Sequence, residues 1–196
     1  CGCLALSGTL KAAEGQLMAG TAKINITPKQ NIPLHDSVYA RALVMEVGDM
    51  RVAQVSVDLA NFYSDRVADV CKEKYGITQL LICASHTHED PNMADARPRE
   101  KKPDHTPFFE ECIIKVVGEA IGNMFPARIS AGTRTFPQLG FNRLIIRKDG
   151  KARESWIGDE HYNVENPERI PFGPVDPEVG VIKVEDMQGN ARAIVM

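Results

Sequence analysis

"LLICASHTHEDPN", residues 80–92, is the stretch on which the fold turns. Leu80 to Ala84 form an unbroken apolar run, which reads as a buried strand. Directly after it come Ser85, His86, Thr87, His88, Glu89 and Asp90, and Pro91 then stops any continuation. The chain has five histidines, and two of them fall two residues apart where this strand opens into a loop. On extended backbone, side chains at i and i+2 leave on the same side. His86 and His88 are therefore expected to face one hollow at the strand's end, a position that active sites of layered α-β folds favour.

Two imidazoles so placed are suited to a metal. Neutral imidazole is the commonest metal ligand, and catalytic zinc takes about three protein ligands with water in the fourth place. A third ligand would have to come from elsewhere. Zinc lowers the pKa of its water from 15.7 to about 7. At roughly 1.36 kcal/mol per unit this is about 12 kcal/mol in favour of hydroxide. The plainer alternative is a pair of hydrogen-bonded histidines at a loop edge.

Outward from this stretch, strands and helices mix. "GTAKINITP" (20–28) alternates and ends at Pro28, as a strand does before a loop. Residues 41–60 read as two strands joined at Gly48-Asp49, with Ser56 and Asp58 on the face opposite Val55, Val57 and Leu59. Residues 64–76 carry helical spacing, with Ser64 as N-cap and Gly76 as stop. Residues 87–105 form a long polar loop, and Thr106-Pro107 opens a helix whose apolar stripe runs from Phe108 to Met124. A strand is expected over 127–136, a hairpin over 141–154 around Asp149-Gly150, and a second hairpin over 180–196 turning near Gln188-Gly189-Asn190. The expected fold is α/β, a layered mixed α-β sandwich (αββα-like), incomplete at the C-terminus.

Composition sets the outer limits. The chain has 196 residues, 43% hydrophobic and 25% charged, enough for one real core. A net charge of −3 and a pI near 6.0 give no electrostatic reason to expect nucleic acid. No apolar run approaches the roughly 18 residues of a membrane helix. The chain opens on Cys1 and closes on the strand-like "ARAIVM", so both ends read as cuts in a longer polypeptide. Residues 1–17 read as a signal-peptide remnant or a disordered leader, and 18–196 as the domain proper. Export follows from the first of these readings: secreted, periplasmic or cell-surface. Cys71, Cys83 and Cys112 lie in apolar patterns and read as core residues, and five cysteines argue against a complete disulfide framework.

Taken in order, "AGTAKINITP", "YARALVMEVG", "VAQVSVDLA", "LLICASHTHEDP", "FNRLIIR" and "GPVDPEVGVIKVEDMQGNARAIVM" resemble the N-terminal catalytic domain of the neutral/alkaline, non-lysosomal ceramidase family. The resemblance covers residues 18 to 196 and only the first part of that domain. It implies a zinc amidase that hydrolyses the N-acyl bond of a lipid-like amide, a sphingolipid foremost, by attack of zinc-bound water. It implies that His86 binds zinc, that His88 contacts substrate or moves a proton, and that Arg143, after Asn142, lies in the substrate pocket. The family's other zinc ligands, a His, a Glu and a Tyr, would fall beyond residue 196. Two departures count. The family's Ser-Gly-Pro after His-Thr-His is here Glu89-Asp90-Pro91, and its Asn-Arg-Ser is Asn142-Arg143-Leu144. A substrate other than ceramide is compatible with both, and the sequence leaves the oligomeric state open.

Two other readings compete. The metallo-β-lactamase pattern His-x-His-x-Asp-His is met by His86, His88 and Asp90 but has Pro91 in the last His position. A non-catalytic exported lipid- or glycan-binding domain on the same scaffold is the third reading. Arg143 could simply pair with a carboxylate. Asp58 could orient a ligand histidine or serve a turn. His35, His105 and His161, Glu89 and Asp90, and the run "PREKK" (98–102) read as solvated loop residues, and "FGPVDPEVG" (172–180) as a turn before a strand.

Overall fold

The computed structural model describes residues 15–29, 35–94, 98, 101–138, 140, 142, 144–146, 152–154 and 174–196, with backbone alone at 93, 94, 144–146 and 152–154. Most of the leader, the Asp149-Gly150 turn, Arg143, His161 and part of "PREKK" lie outside these residues. The elements are β1 (Met18–Asn25), β2 (Tyr39–Val47), β3 (Met50–Val57), α1 (Asp65–Tyr75), β4 (Gln79–Ala84), α2 (Pro91–Ala94), α3 (Thr106–Gly122), β5 (Phe125–Thr135), β6 (Leu144–Ile146), β7 (Ala152–Glu154), β8 (Glu178–Asp186) and β9 (Ala191–Val195). Seven strands form one sheet in the order β4-β3-β2-β1-β5-β8-β9, and β6 pairs with β7 in a separate ribbon. This is the mixed α/β architecture that the sequence implies. The chain divides into two compact units, Cys1–Ile129 with Val184–Ala193, and Ser130–Lys183 with Ile194–Met196.

In the first unit, β2 and β3 form an antiparallel hairpin from Ala40↔Val57 to Val47↔Met50, turning at Gly48, whose φ is 56°. β1 lies antiparallel on the other side of β2, from Met18↔Glu46 to Asn25↔Tyr39. β4 runs parallel to β3, which demands a crossover, and α1 supplies it. Ser64 caps α1 by accepting the Val67 N–H at 3.2 Å, and Gly76 ends it in the left-handed conformation with φ 65°. Ser64 also donates to Glu110 at 2.6 Å, tying the start of α1 to α3.

Strand alternation puts Ala40, Ala42 and Val44 of β2 beside Ala53, Val55 and Val57 of β3 on one face. α3 lays Phe109, Ile113, Val116, Val117 and Ala120 on that face, and α1 adds Val67 and Cys71. Burial pushes the Cys71 thiol up to about 11, so it is an inert core group, as its pattern in the sequence implies. Gly20 permits the closest approach: a Cβ there would stand 1.9 Å from the Ala120 carbonyl oxygen. Any side chain at 20 would hold α3 off β1.

Four expectations need correction. β4 is an edge strand among the described residues, and Leu81 is 56% exposed, because an apolar run looks the same with one face covered as with two. The loop after it is interrupted by α2. Thr106 is the first helical residue of α3 rather than its cap: His105 takes the cap position, and Asp104 accepts the Thr106 N–H at 2.9 Å. That bond, with one from the Thr106 side chain, holds the Asp104 carboxyl below its usual range. His105 is buried rather than solvated, its ring 5.9 Å from that of Phe109, because the cap position folds it against the first turn of α3.

In the second unit the β6–β7 ribbon pairs Ile145 with Arg153, so the expected hairpin is present. The turn between β8 and β9, at residues 187–190 with Gly189 at φ 87°, belongs to the first unit. Asp186 fastens that turn by accepting the N–H groups of Gln188 and Asn190 at 3.0 and 2.9 Å. The Asn190 side chain and these N–H groups hold the Asp186 carboxyl below its usual range. No helix among the described residues is long and apolar enough to cross a membrane.

Candidate functional site

β4 ends at Ala84, and the chain beyond it is not released into solvent. The Ser85 N–H donates to the Val57 carbonyl at 2.9 Å and the His86 N–H to the Leu59 carbonyl at 3.0 Å. The parallel ladder with β3 thus continues past the strand ends. At His86 the backbone turns into the left-handed region with φ 58°, the one non-glycine residue among those described to do so. Such a conformation costs of order 1–3 kcal/mol and clusters where function constrains the chain. It also corrects the expected geometry. His86 and His88 do not project from one extended segment; the turn at His86 brings them together. Their ring centroids are 5.3 Å apart, with the planes at 78°, and both residues are exposed.

The His86 ring is oriented by backbone. Its Nδ1 lies 2.7 Å from the Ala60 carbonyl oxygen. A carbonyl can only accept, so Nδ1 carries a proton, and in the neutral ring Nε2 keeps its lone pair. This is the tautomer a metal takes, with the orienting acceptor behind it that ligating histidines usually have. Asp58, a candidate for that role, is engaged elsewhere: it accepts from the Tyr39 N–H at 3.0 Å and from Arg41 at 2.8 Å. The acceptor at His86 is a main-chain atom, which composition cannot reveal.

Of the two carboxylates after the histidines, Glu89 is exposed as expected, its N–H donating to the Thr87 hydroxyl at 3.2 Å. Asp90 is buried, at 3% exposure, which corrects its reading as solvated. One oxygen accepts the Ala60 N–H at 2.8 Å and the other the Asn92 N–H at 2.6 Å. The reason is visible in "DPN" (90–92): an Asp before a Pro is a helix-start signal, and α2 begins at Pro91. With both oxygens turned to backbone donors, Asp90 does not fit the ligand role that the metallo-β-lactamase pattern gives it.

Among the described residues no group of three or more His, Cys, Asp or Glu side chains could hold a metal. His86 fits zinc as a single ligand through Nε2, with the His88 ring beside it, and the described residues complete no site. Arg143 lies outside the described residues; its neighbour Asn142 donates to the Pro174 carbonyl at 3.3 Å, within the second unit.

With this geometry in hand, comparison with solved structures is informative. A ceramidase complexed with C2 superposes with a TM-score of 0.63 at 18% identity, over 91% of this chain and 30% of that one. The neutral ceramidase from Pseudomonas aeruginosa gives 0.61 at 17% identity, over 94% and 31%. The fold is that of part of a neutral ceramidase. No family model matches the chain, and no curated protein matches it. The chain spans about three-tenths of each of these ceramidase structures, so the likeness concerns fold alone. On this ceramidase-like fold, the His86–His88 turn closes the β3–β4 edge of the sheet.

Proposed function

We propose that the chain is part of a zinc-dependent hydrolase of ceramidase type, acting outside the cytoplasm on the N-acyl bond of a sphingolipid-like amide. The observation that carries the proposal is His86: its Nδ1–H is held by the Ala60 carbonyl and its Nε2 is left open, at a strand end in a neutral-ceramidase fold. His86 would hold the metal through Nε2. Bound zinc would supply Lewis acidity at the scissile carbonyl. The His88 imidazole, beside His86, would move a proton to or from the substrate's polar groups. Arg143 would steady a carbonyl oxygen with its fork of N–H donors. Glu89, exposed where the family has a serine, sets a negative charge beside the histidines and favours a substrate with donor groups in its head.

The test is the metal content of the parent protein, wild type against His86→Ala, with hydrolysis of N-acylsphingosine measured alongside. Zinc is expected in the wild type and is expected to fall sharply in the variant. Equal zinc in both would remove the proposal.

A further inference from the structure

We propose that Asp90 is a positioning residue that sets the tautomer and direction of the His86 ring by holding the peptide unit that precedes the Ala60 carbonyl. This rests on the reading of His86 as a metal ligand, but its test does not require the metal. The unit is the peptide between Leu59 and Ala60. Its N–H donates to the buried Asp90 carboxylate at 2.8 Å, and its carbonyl accepts the His86 N–H at 3.0 Å. A carboxylate on the donor side polarises a peptide and strengthens the bond on its acceptor side. The next carbonyl, that of Ala60, receives the His86 Nδ1–H at 2.7 Å. Asp90 thus grips the segment that holds both the main chain and the ring of His86, and it does so from the far side of a left-handed turn that His86 would not adopt unaided. Its second oxygen caps α2 through Asn92, which fixes the carboxylate itself. Where the ceramidase pattern has glycine, this chain has the aspartate, so the grip comes from this sequence's own side chain.

The experiment is imidazole nitrogen NMR on the metal-free chain, at a pH well above histidine titration. Wild type should show His86 with the proton on Nδ1, in about the fivefold excess that one net hydrogen bond sustains. Asp90→Ser keeps a cap for α2 but gives up the bond to Ala60. It should bring the two tautomers to comparable populations and shift the Ala60 amide proton upfield. Asp90→Asn keeps one acceptor oxygen and should lie between. A folded Asp90→Ser with the wild-type His86 signature would overturn the proposal, as would an Nε2–H tautomer in the wild type. Should Asp90→Ser fail to fold, Asp90→Asn decides by the same signature, an unchanged tautomer being the overturning result. A parent protein without zinc would remove the hydrolase reading and leave these spectra as the sole test of Asp90.

Discussion

Two contacts within the first compact unit are built by opposite means. Where α3 crosses β1, side-chain shape decides: Gly20 leaves room for the Ala120 carbonyl, and the buried Phe109, Ile113 and Val117 of the same helix lie in the core. At the end of β4, polar backbone decides: Leu59 and Ala60 engage the His86 N–H, the His86 ring and the Asp90 carboxylate in three hydrogen bonds, one to each group. The first contact buries apolar area and carries stability. The second spends little area and fixes the direction of one imidazole. A fold can tolerate loosening at the second far better than at the first, and a site cannot.

The largest expected effect lies in the first contact. Phe109→Ala should cost about 3–5 kcal/mol, because a fully buried ring leaves a cavity that helix and sheet cannot close. Gly20→Ala should cost about 1–3 kcal/mol, at the upper end because the obstacle is main chain and cannot rotate away. Urea midpoints of both variants measure this, and neither should alter the His86 tautomer. A tautomer that moved with Gly20→Ala would show that the two contacts are one mechanical unit.

This division also explains what could be read from sequence. α1, α3 and the β2–β3 hairpin were legible because their signals are local: Ser64, Gly76, Gly48-Asp49 and a helical apolar period. The edge position of β4 was not, since "LLICA" says how apolar a strand is and not how many neighbours it has. The His86 turn was not either. Extended geometry is the default for His-x-His, and what overrides it is a pair of carbonyls 26 and 27 residues upstream. Asp90 was half legible: Asp-Pro-Asn announces the cap of α2, but nothing local announces that the second oxygen reaches Ala60. His105 followed the same logic, with a cap position whose burial depends on where α3 packs.

The apolar core to which the first contact belongs should also have an alkaline signature, through Cys71 of α1. The Cys71 thiol is raised by burial from 9.0 to about 11. A raised folded-state value means that the folded protein resists ionisation that the unfolded chain accepts. This contribution is whole below about 9, declines as pH rises, and is lost by about 11, for a total of about 3 kcal/mol. Subtracting the pH–stability curve of Cys71→Ala from that of wild type isolates this limb from the titration of lysines and tyrosines. A flat difference across that window would mean that α1 lifts off the sheet at little cost.

The smallest effect is the most diagnostic for the second contact. His86→Ala and His86→Gly both remove the imidazole and its bond to Ala60, and they differ only in what the left-handed φ of 58° demands of them. Alanine pays the clash of its Cβ with the neighbouring carbonyl, whereas glycine does not, so the glycine variant should be the more stable by about 1 kcal/mol. Elsewhere in a strand the order would be reversed, because glycine has more backbone freedom to lose. The sign of the difference, read from paired urea melts, therefore reports whether the turn persists once the ring is gone. If alanine proves the more stable, the backbone has relaxed to extended geometry. The imidazole bond to Ala60 would then be holding the turn, rather than the main-chain bond from His86 to Leu59 that stays in both variants.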